Sequence, residues 1–194
     1  MKNPLNPTKG SPLSSAVGID YGRLRNLLAA QQWEAADRET KTVILQVAGR
    51  EREGLLNRDA IAKFPSSDLR IIDRLWVKYS NGRFGFSVQK RIWQSFLDAN
   101  PGQQIPHSRE QVKPLGERLG WHVAGNWLYF RDLIFDISAP EGHLPSPSFA
   151  IPCSGRGEDE QAVWQQWCAA FCLGGVQCGV LFLGWWSLLE RPDL

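Results

Sequence analysis

Tyr79-Ser-Asn-Gly-Arg-Phe-Gly-Phe-Ser-Val-Gln-Lys-Arg-Ile-Trp93 is the stretch from which the rest of the chain is best read. A helical pattern closes at Ser80-Asn81-Gly82, and another opens at Ser87, a residue type suited to a helix N-cap. Between them Arg83, Phe84, Gly85 and Phe86 form a connector with two large aromatics and a glycine. Two aromatics on so short a connector either plug a core or line a pocket, and both readings stand at this point.

Upstream, Leu24, Leu27 and Leu28 make a one-faced helix beginning near Tyr21. Trp33, Ala36, Thr40, Ile44 and Val47 continue at three- and four-residue steps to a C-cap at Gly49. A short helix is predicted over 58–64. Pro65 stops it, Ser66 offers the next N-cap, and Asp68 falls in the favourable first turn. Leu69, Ile72, Trp76 and Tyr79 are the apolar stripe of that next helix. Val88, Ile92, Trp93 and Phe96 form the inward face of the helix after the connector. Residues 98–108, with Pro101, Gly102 and Pro106, read as a loop. Residues 109–119 read as a helix whose start is limited by Pro114.

The 194 residues suffice for one substantial domain plus tails. A net charge of +2 gives no reason to expect a nucleic-acid partner, since such binders usually show a concentrated basic face. The chain begins without the apolar core of a secretory signal, so a cytoplasmic protein with four reduced cysteines is expected. No catalytic constellation emerges. His107, His122 and His143 are dispersed, Cys168, Cys172 and Cys178 have no nearby histidine, and Gly18-Ile-Asp-Tyr-Gly22 lacks the ending of a phosphate loop. No metal site and no enzymatic activity are expected.

Two segments resist a periodic reading. Trp121, Trp127, Tyr129, Phe130 and Phe135 crowd into 15 residues, compatible with a short hairpin turning near Gly125-Asn126 or with an ordered aromatic loop. Residues 167–189 carry no charge and are long enough to span a bilayer. They read either as a helix packed or peripherally attached, or as a tail anchor, so membrane association through 161–190 is open. The expected organisation is a disordered leader over 1–18, a helical domain over 19–150, a linker over 151–160 and a C-terminal apolar helix over 161–194.

The runs Phe64-Pro65-Ser-Ser-Asp68-Leu69, Ile72-Asp73-Arg-Leu75-Trp76, Tyr79 to Gln89, Gly120-Trp121, Phe135-Asp136 and Ala139-Pro140-Glu-Gly142-His143-Leu144-Pro145, in this order, resemble the genomes-uncoupled-four family. That family comprises porphyrin-binding regulators of magnesium chelatase. The match is to the cyanobacterial type, as a core domain without the N-terminal helical-bundle extension. The resemblance implies a mainly α fold: a single helical cupped-hand domain with a long aromatic-rich loop region. It implies a non-catalytic apolar palm for protoporphyrin IX or Mg-protoporphyrin IX, with the chelatase's large porphyrin-binding subunit as partner. The family's basic residues after Gly-His-Leu-Pro are replaced here by Ser146-Pro-Ser-Phe-Ala-Ile-Pro152, and Arg156 is the nearest arginine. A same-fold sensor or scaffold with weak or no porphyrin binding is the alternative.

A porphyrin is a flat apolar plate with two carboxylates on one edge, so its site needs apolar walls and cations at the mouth. Burying about 300 Å² of macrocycle yields roughly 7 kcal/mol gross. Association offsets much of that, which leaves micromolar affinity reachable. The candidate wall residues are Ile44, Val47, Trp76, Phe84, Phe86, Val88, Trp121, Trp127, Tyr129, Phe130 and Phe135, with Arg156 as candidate cation. Ile44, Val47, Trp76 and Val88 lie on helical stripes and are core residues first. The aperiodic cluster after Trp121 suits a wall over the ligand. Among polar residues, Asp73 is expected to pair with Arg70 or Arg74 or to cap a neighbouring helix, and Gln89 to bond the connector backbone. His143 reads as a loop-holding histidine or as an axial metal ligand.

Overall fold

Leu24 and Leu28, one helical turn apart and fully buried, seat helix α1 (Gly22–Ala29) against α2 (Trp33–Ala48) and α4 (Ser66–Tyr79). The computed structural model describes residues 15–56, 58–99, 109–147 and 188–194. Four more elements complete the helical framework: α3 (Arg58–Ala62), α5 (Phe86–Ala99), α6 (Arg109–Arg118) and a 3-10 turn (Phe130–Asp132). Helix α5 packs between α4 and α6. The mainly α fold expected from the stripes is what the chain adopts.

The centre of the domain is aromatic. Trp33 and Trp76 stack with centroids 6.1 Å apart, and Phe84 meets Trp33 edge-on at 5.5 Å. The Trp76 indole N–H donates to Thr40 Oγ1 at 2.9 Å, so α4 is tied to α2 by a satisfied buried polar group. Helix α2 ends, as expected, at Gly49 in the left-handed conformation.

Two caps differ from expectation. Helix α4 begins at Ser66 itself with Pro65 in the capping position, and the Ser66 side chain makes no cap bond. Helix α5 begins at Phe86, and its Ser87 N–H donates to Asp73 Oδ1 at 2.8 Å. The cap is thus supplied by the preceding helix, one of the roles expected for Asp73. In the first turn of α4, Asp68 accepts bonds from Ser15 Oγ, the Ala16 N–H (2.9 Å), Tyr21 Oη (2.7 Å) and Ser67 Oγ (2.8 Å). Residues 15–18, placed by composition in the leader, are therefore anchored at their start on α4. Pro114 lies inside α6, not at its start.

After α6 the chain makes a minimal hairpin, β1 (His122–Val123) paired antiparallel with β2 (Asn126–Trp127), in register His122 to Trp127. The turn is Ala124-Gly125, both at positive φ (50° and 84°), the pair that a two-residue hairpin turn demands. It falls one residue earlier than expected.

At the other end of the chain, Leu188 and Leu189 are buried in the core. The Arg191 guanidinium donates to the carbonyls of Ile61 (2.9 Å) and Phe64 (2.5 Å), to Ser66 Oγ (3.0 Å) and to the Asp193 carboxylate (2.9 Å). Lys90 Nζ donates to the Arg191 carbonyl at 2.5 Å. The last two residues of the uncharged 167–189 stretch are therefore packed on the domain. The leader before residue 15, the linker, Arg156 and residues 161–187 lie outside the described residues. Among the described residues no helix is long and apolar enough to cross a membrane.

Candidate functional site

The two family runs bind each other. The Gly85 N–H donates to the Leu144 carbonyl (3.0 Å), and the Gly142 N–H donates to the Arg83 carbonyl (2.8 Å). Arg83 Nε donates to the Ala139 carbonyl at 2.7 Å. Gln89 Nε2 donates to the carbonyls of Gly142 (2.9 Å) and Pro145 (2.8 Å), and its backbone N–H donates to the connector's Gly85 carbonyl at 3.1 Å. Gly85 sits at φ 135°, where a Cβ would lie 2.8 Å from Val77 Cγ2. Gly142 sits at φ 74°, with a Cβ 2.8 Å from Leu119 Cδ2. Neither position accepts a side chain. The connector is one half of a clasp made by two irregular segments.

This packing places most of the sequence-named wall residues in the interior. Phe84 and Phe86 are 0 % exposed, and Ile44, Trp76, Val88 and Trp121 are buried with them. They shape the domain and present no surface to a ligand in this conformation. Helical stripes point inward by construction, and the connector aromatics are drawn into the Trp33–Trp76 cluster. Trp121 is buried because its indole N–H donates to the His143 carbonyl at 2.8 Å.

His143 takes its loop-holding role. Its Nε2 accepts the Ile134 N–H at 3.0 Å, so the proton sits on Nδ1, which donates to the Leu119 carbonyl at 2.6 Å. Burial holds its pKa below the usual imidazole range, consistent with the neutral form. Both ring nitrogens are spent, and no lone pair is left for a metal.

Four of the five other wall candidates lie within one short stretch, 127–135. Trp127, at the end of β2, and Tyr129, Phe130 and Phe135, on the loop that leaves the hairpin and passes through the 3-10 turn, are each half-buried. Phe130 and Phe135 meet at 5.0 Å between centroids. The Leu128 N–H donates to the Trp121 carbonyl (2.8 Å) and the Ile134 N–H to His143, so both ends of this aromatic ledge are fixed to the clasp. Ile134 and Ile137 add exposed apolar surface, at 45 % and 38 %. The cations beside the ledge were not named from sequence. The Arg38 guanidinium lies 4.4 Å from the Phe130 centroid and Arg131 lies 5.3 Å from Tyr129. Arg38 belongs to the polar face of α2, 92 positions away in sequence, and its guanidinium also pairs with Glu34 at 3.1 Å.

Val47, a palm-floor candidate, lies elsewhere. With Val17, Arg50, Lys63, Phe64 and Pro65 among others, it lines an open cleft of about 480 Å³ at the corner between α2 and α3.

One buried carboxylate ties the clasp to α2. Asp37 accepts the Ser146 N–H and the Ser146 Oγ–H, both at 2.6 Å. Burial pushes its pKa up to about 7, against the pull of those two bonds and of Arg38 and Lys41. A carboxyl whose folded pKa lies above its unfolded value of about 3.9 binds more protons in the folded state between the two. Stability should therefore fall as pH rises from about 4 to 7, at up to about 1.4 kcal/mol per pH unit, and level off above. Urea unfolding of the wild type and of Asp37→Asn at several pH values between 5 and 8 should show a steeper decline in the wild type, since Asp73, also raised by burial, contributes to both. Parallel profiles would contradict it.

A family model described as GUN4-like matches residues 14–152, well over half of the chain. The chain belongs to the GUN4-like family. Relatives include the Ycf53-like protein of Synechocystis sp., 37 % identical over 143 residues, covering 72 % of this chain and 56 % of that protein. The chloroplastic tetrapyrrole-binding protein of Arabidopsis thaliana is 39 % identical over 72 residues, 36 % of this chain and 27 % of that one. The chain spans about half the length of the Ycf53-type relatives it matches. Among solved structures, GUN4 of Chlamydomonas reinhardtii superposes with a TM-score of 0.59 at 22 % identity, covering 93 % of this chain and 92 % of that one. Ligand-free GUN4 of Arabidopsis thaliana gives 0.58 at 21 %, covering 90 % and 97 %. These likenesses establish a GUN4 fold, with the clasp and the ledge built on it.

Proposed function

We propose that this GUN4-like chain is a non-catalytic tetrapyrrole-binding protein that takes protoporphyrin IX or magnesium protoporphyrin IX on the aromatic ledge. In this reading it regulates magnesium chelatase by contacting the chelatase's large porphyrin-binding subunit. The observation that carries the reading is the partition of aromatics. Most aromatics of the family runs are spent on the core, while Trp127, Tyr129, Phe130 and, from the run Phe135-Asp136, Phe135 stay part-exposed over 127–135. Family membership and the name of the Arabidopsis relative support the ligand class. Arg38, paired with Glu34, and Arg131, paired with Asp132, lie beside the ledge, and exchanging these exposed partners for propionates would give them the role of the arginines absent after Gly142-His143-Leu144-Pro145.

The test is a titration of free-base and magnesium protoporphyrin IX into the purified chain, followed by tryptophan quenching and the Soret band. Saturation at micromolar concentration is expected. A second reading, a sensor or scaffold of the same fold, draws on the absence of arginine from 146–152. No saturable change up to about ten micromolar, the range the area argument allows, would favour it. If binding occurs, addition to a chelatase assay is expected to raise the rate of metal insertion.

A further inference from the structure

The exposed side of α4 carries a charge pattern that the fold does not use. Arg70, Arg74 and Lys78 follow one another at four-residue steps and are all exposed, so they stand in one row, about 6 Å of helix rise apart. Like charges at this spacing repel and weaken a helix. Other exposed cations are matched: Arg38 with Glu34, Arg23 with Glu39 and Arg91 with Glu141. Among the described residues no carboxylate forms an ion pair with the α4 row. The two acids of α4 itself, Asp68 and Asp73, are buried and committed, Asp68 to Tyr21 and Ser67, Asp73 to the Ser87 N–H. Helix α1, packed on α4, contains no acid and adds Arg25, also exposed and without an ion pair. A net charge of +2 thus hides an uneven surface, on which α1 and α4 show cations and no free carboxylate.

What lies at the head of the row points to its partner. Ser66 precedes Arg70 by the same four-residue step, and its Oγ accepts a bond from the Arg191 guanidinium at 3.0 Å. Leu188 and Leu189, just before Arg191, are buried in the core, so the chain re-enters the domain beside the row. It leaves the domain at Pro147, which is buried next to the Ser146 that Asp37 holds. The sequence that runs up to the point of return, 167–187, carries no charge and ends in Trp185-Trp186-Ser187. Tryptophan suits the boundary between water and hydrocarbon. Pro147 and Leu188 sit on one domain, so a bilayer met between them faces that domain from one side. Stable peripheral attachment takes two signals, an apolar one and a polybasic one, and both converge here.

We propose that the Arg70, Arg74 and Lys78 row of α4, with Arg25 of α1, is a docking surface for an anionic lipid bilayer. Its guanidinium and ammonium groups meet the headgroup phosphates on the side where the uncharged stretch returns to the domain. This role does not rest on the tetrapyrrole reading, and either can stand without the other.

The experiment is co-sedimentation of the full chain with vesicles of equal parts phosphatidylglycerol and phosphatidylcholine, and with vesicles of phosphatidylcholine alone. A cation at an anionic surface favours binding by about fivefold, so the wild type is expected to prefer the anionic vesicles by about thirtyfold or more. Arg70→Gln/Arg74→Gln should lose about thirtyfold on them. That variant should melt as the wild type does, because both side chains are exposed. Lys41→Gln/Arg118→Gln removes the same charge from α2 and α6 and should lose no more than about threefold. Raising the salt from about 0.1 M to about 1 M shortens the screening length from about 10 Å to about 3 Å and should release the wild type. Equal partition of the wild type on both vesicles, or equal losses in the two variants, would assign attachment to apolar contact or to net charge and overturn the role of the row. No sedimentation of the wild type with either vesicle would leave the row to a protein partner and overturn the proposal outright.

Discussion

Replacing Phe84 by alanine is expected to lower the unfolding free energy by about 4 kcal/mol, within the range for burying a cavity where a large aromatic stood. Phe84 has no exposed surface and closes an aromatic cluster, meeting Trp33 at 5.5 Å and Trp76 at 6.4 Å. Helices α2 and α4 lean on that ring from both sides, so the void cannot collapse without moving one of them. For a chain of this size the loss corresponds to a melting temperature lower by roughly 10 °C. Porphyrin affinity of the folded fraction should not change, because Phe84 does not reach the ledge. Thermal or urea unfolding alongside a binding titration checks both halves. A loss under about 1 kcal/mol together with weakened binding would make Phe84 a pocket wall and not a core plug.

Gln89→Leu is expected to lose about 3 kcal/mol, although it exchanges a polar side chain for an apolar one of similar volume. Gln89 is fully buried, and its amide satisfies the carbonyls of Gly142 and Pro145 from the far side of the clasp. Leucine would leave those two acceptors buried without partners, each a loss of about 1–3 kcal/mol. Gln89→Glu is expected to be no better, since a carboxylate cannot donate to a carbonyl. The loosening should be local as well as global. Hydrogen exchange should speed up first at Gly85 and Gly142, whose N–H groups close the clasp. A stability change within about 0.5 kcal/mol, the level of an ordinary surface substitution, would mean that water replaces the amide and the clasp is not dry.

The helices were legible from the sequence because periodicity reports which side of an element is buried. Leu24 with Leu28, Leu69 with Ile72 and Trp76, and Val88 with Ile92 all face inward as their spacing demands. Periodicity does not report what an element is buried against, and the connector shows the consequence. Whether Phe84 and Phe86 plug or line depended on Trp33, far upstream, and on a loop more than fifty residues downstream. The caps failed for a related reason. Ser87 has the right chemistry, but Asp73 reaches it across the helix junction. Asp37 and Ser146 meet across 109 positions, and nothing local marks either as a partner.

The site was half legible. Aperiodic aromatics between Trp121 and Phe135 pointed to the ledge because no regular element could bury them all. Trp121 proved to be the exception, held inside by its bond to His143. The hairpin moved by one residue because Ala124, not Asn126, takes the positive φ beside Gly125. Arg38 and the contrast between His143 and His122 were out of reach. His122 on β1 and His143 in the clasp look alike in sequence until the polar groups around each ring are counted.

The most direct measurement is the dissociation constant of magnesium protoporphyrin IX for the wild type, for Trp127→Ala/Phe130→Ala and for Ala60→Phe, which fills the cleft between α2 and α3. Removing two stacking walls should weaken binding by about tenfold or more, with stability changed by no more than about 1 kcal/mol. Ala60→Phe should bind as the wild type does. Unchanged affinity in the ledge variant, with loss in Ala60→Phe, would place the macrocycle in the cleft and contradict the ledge.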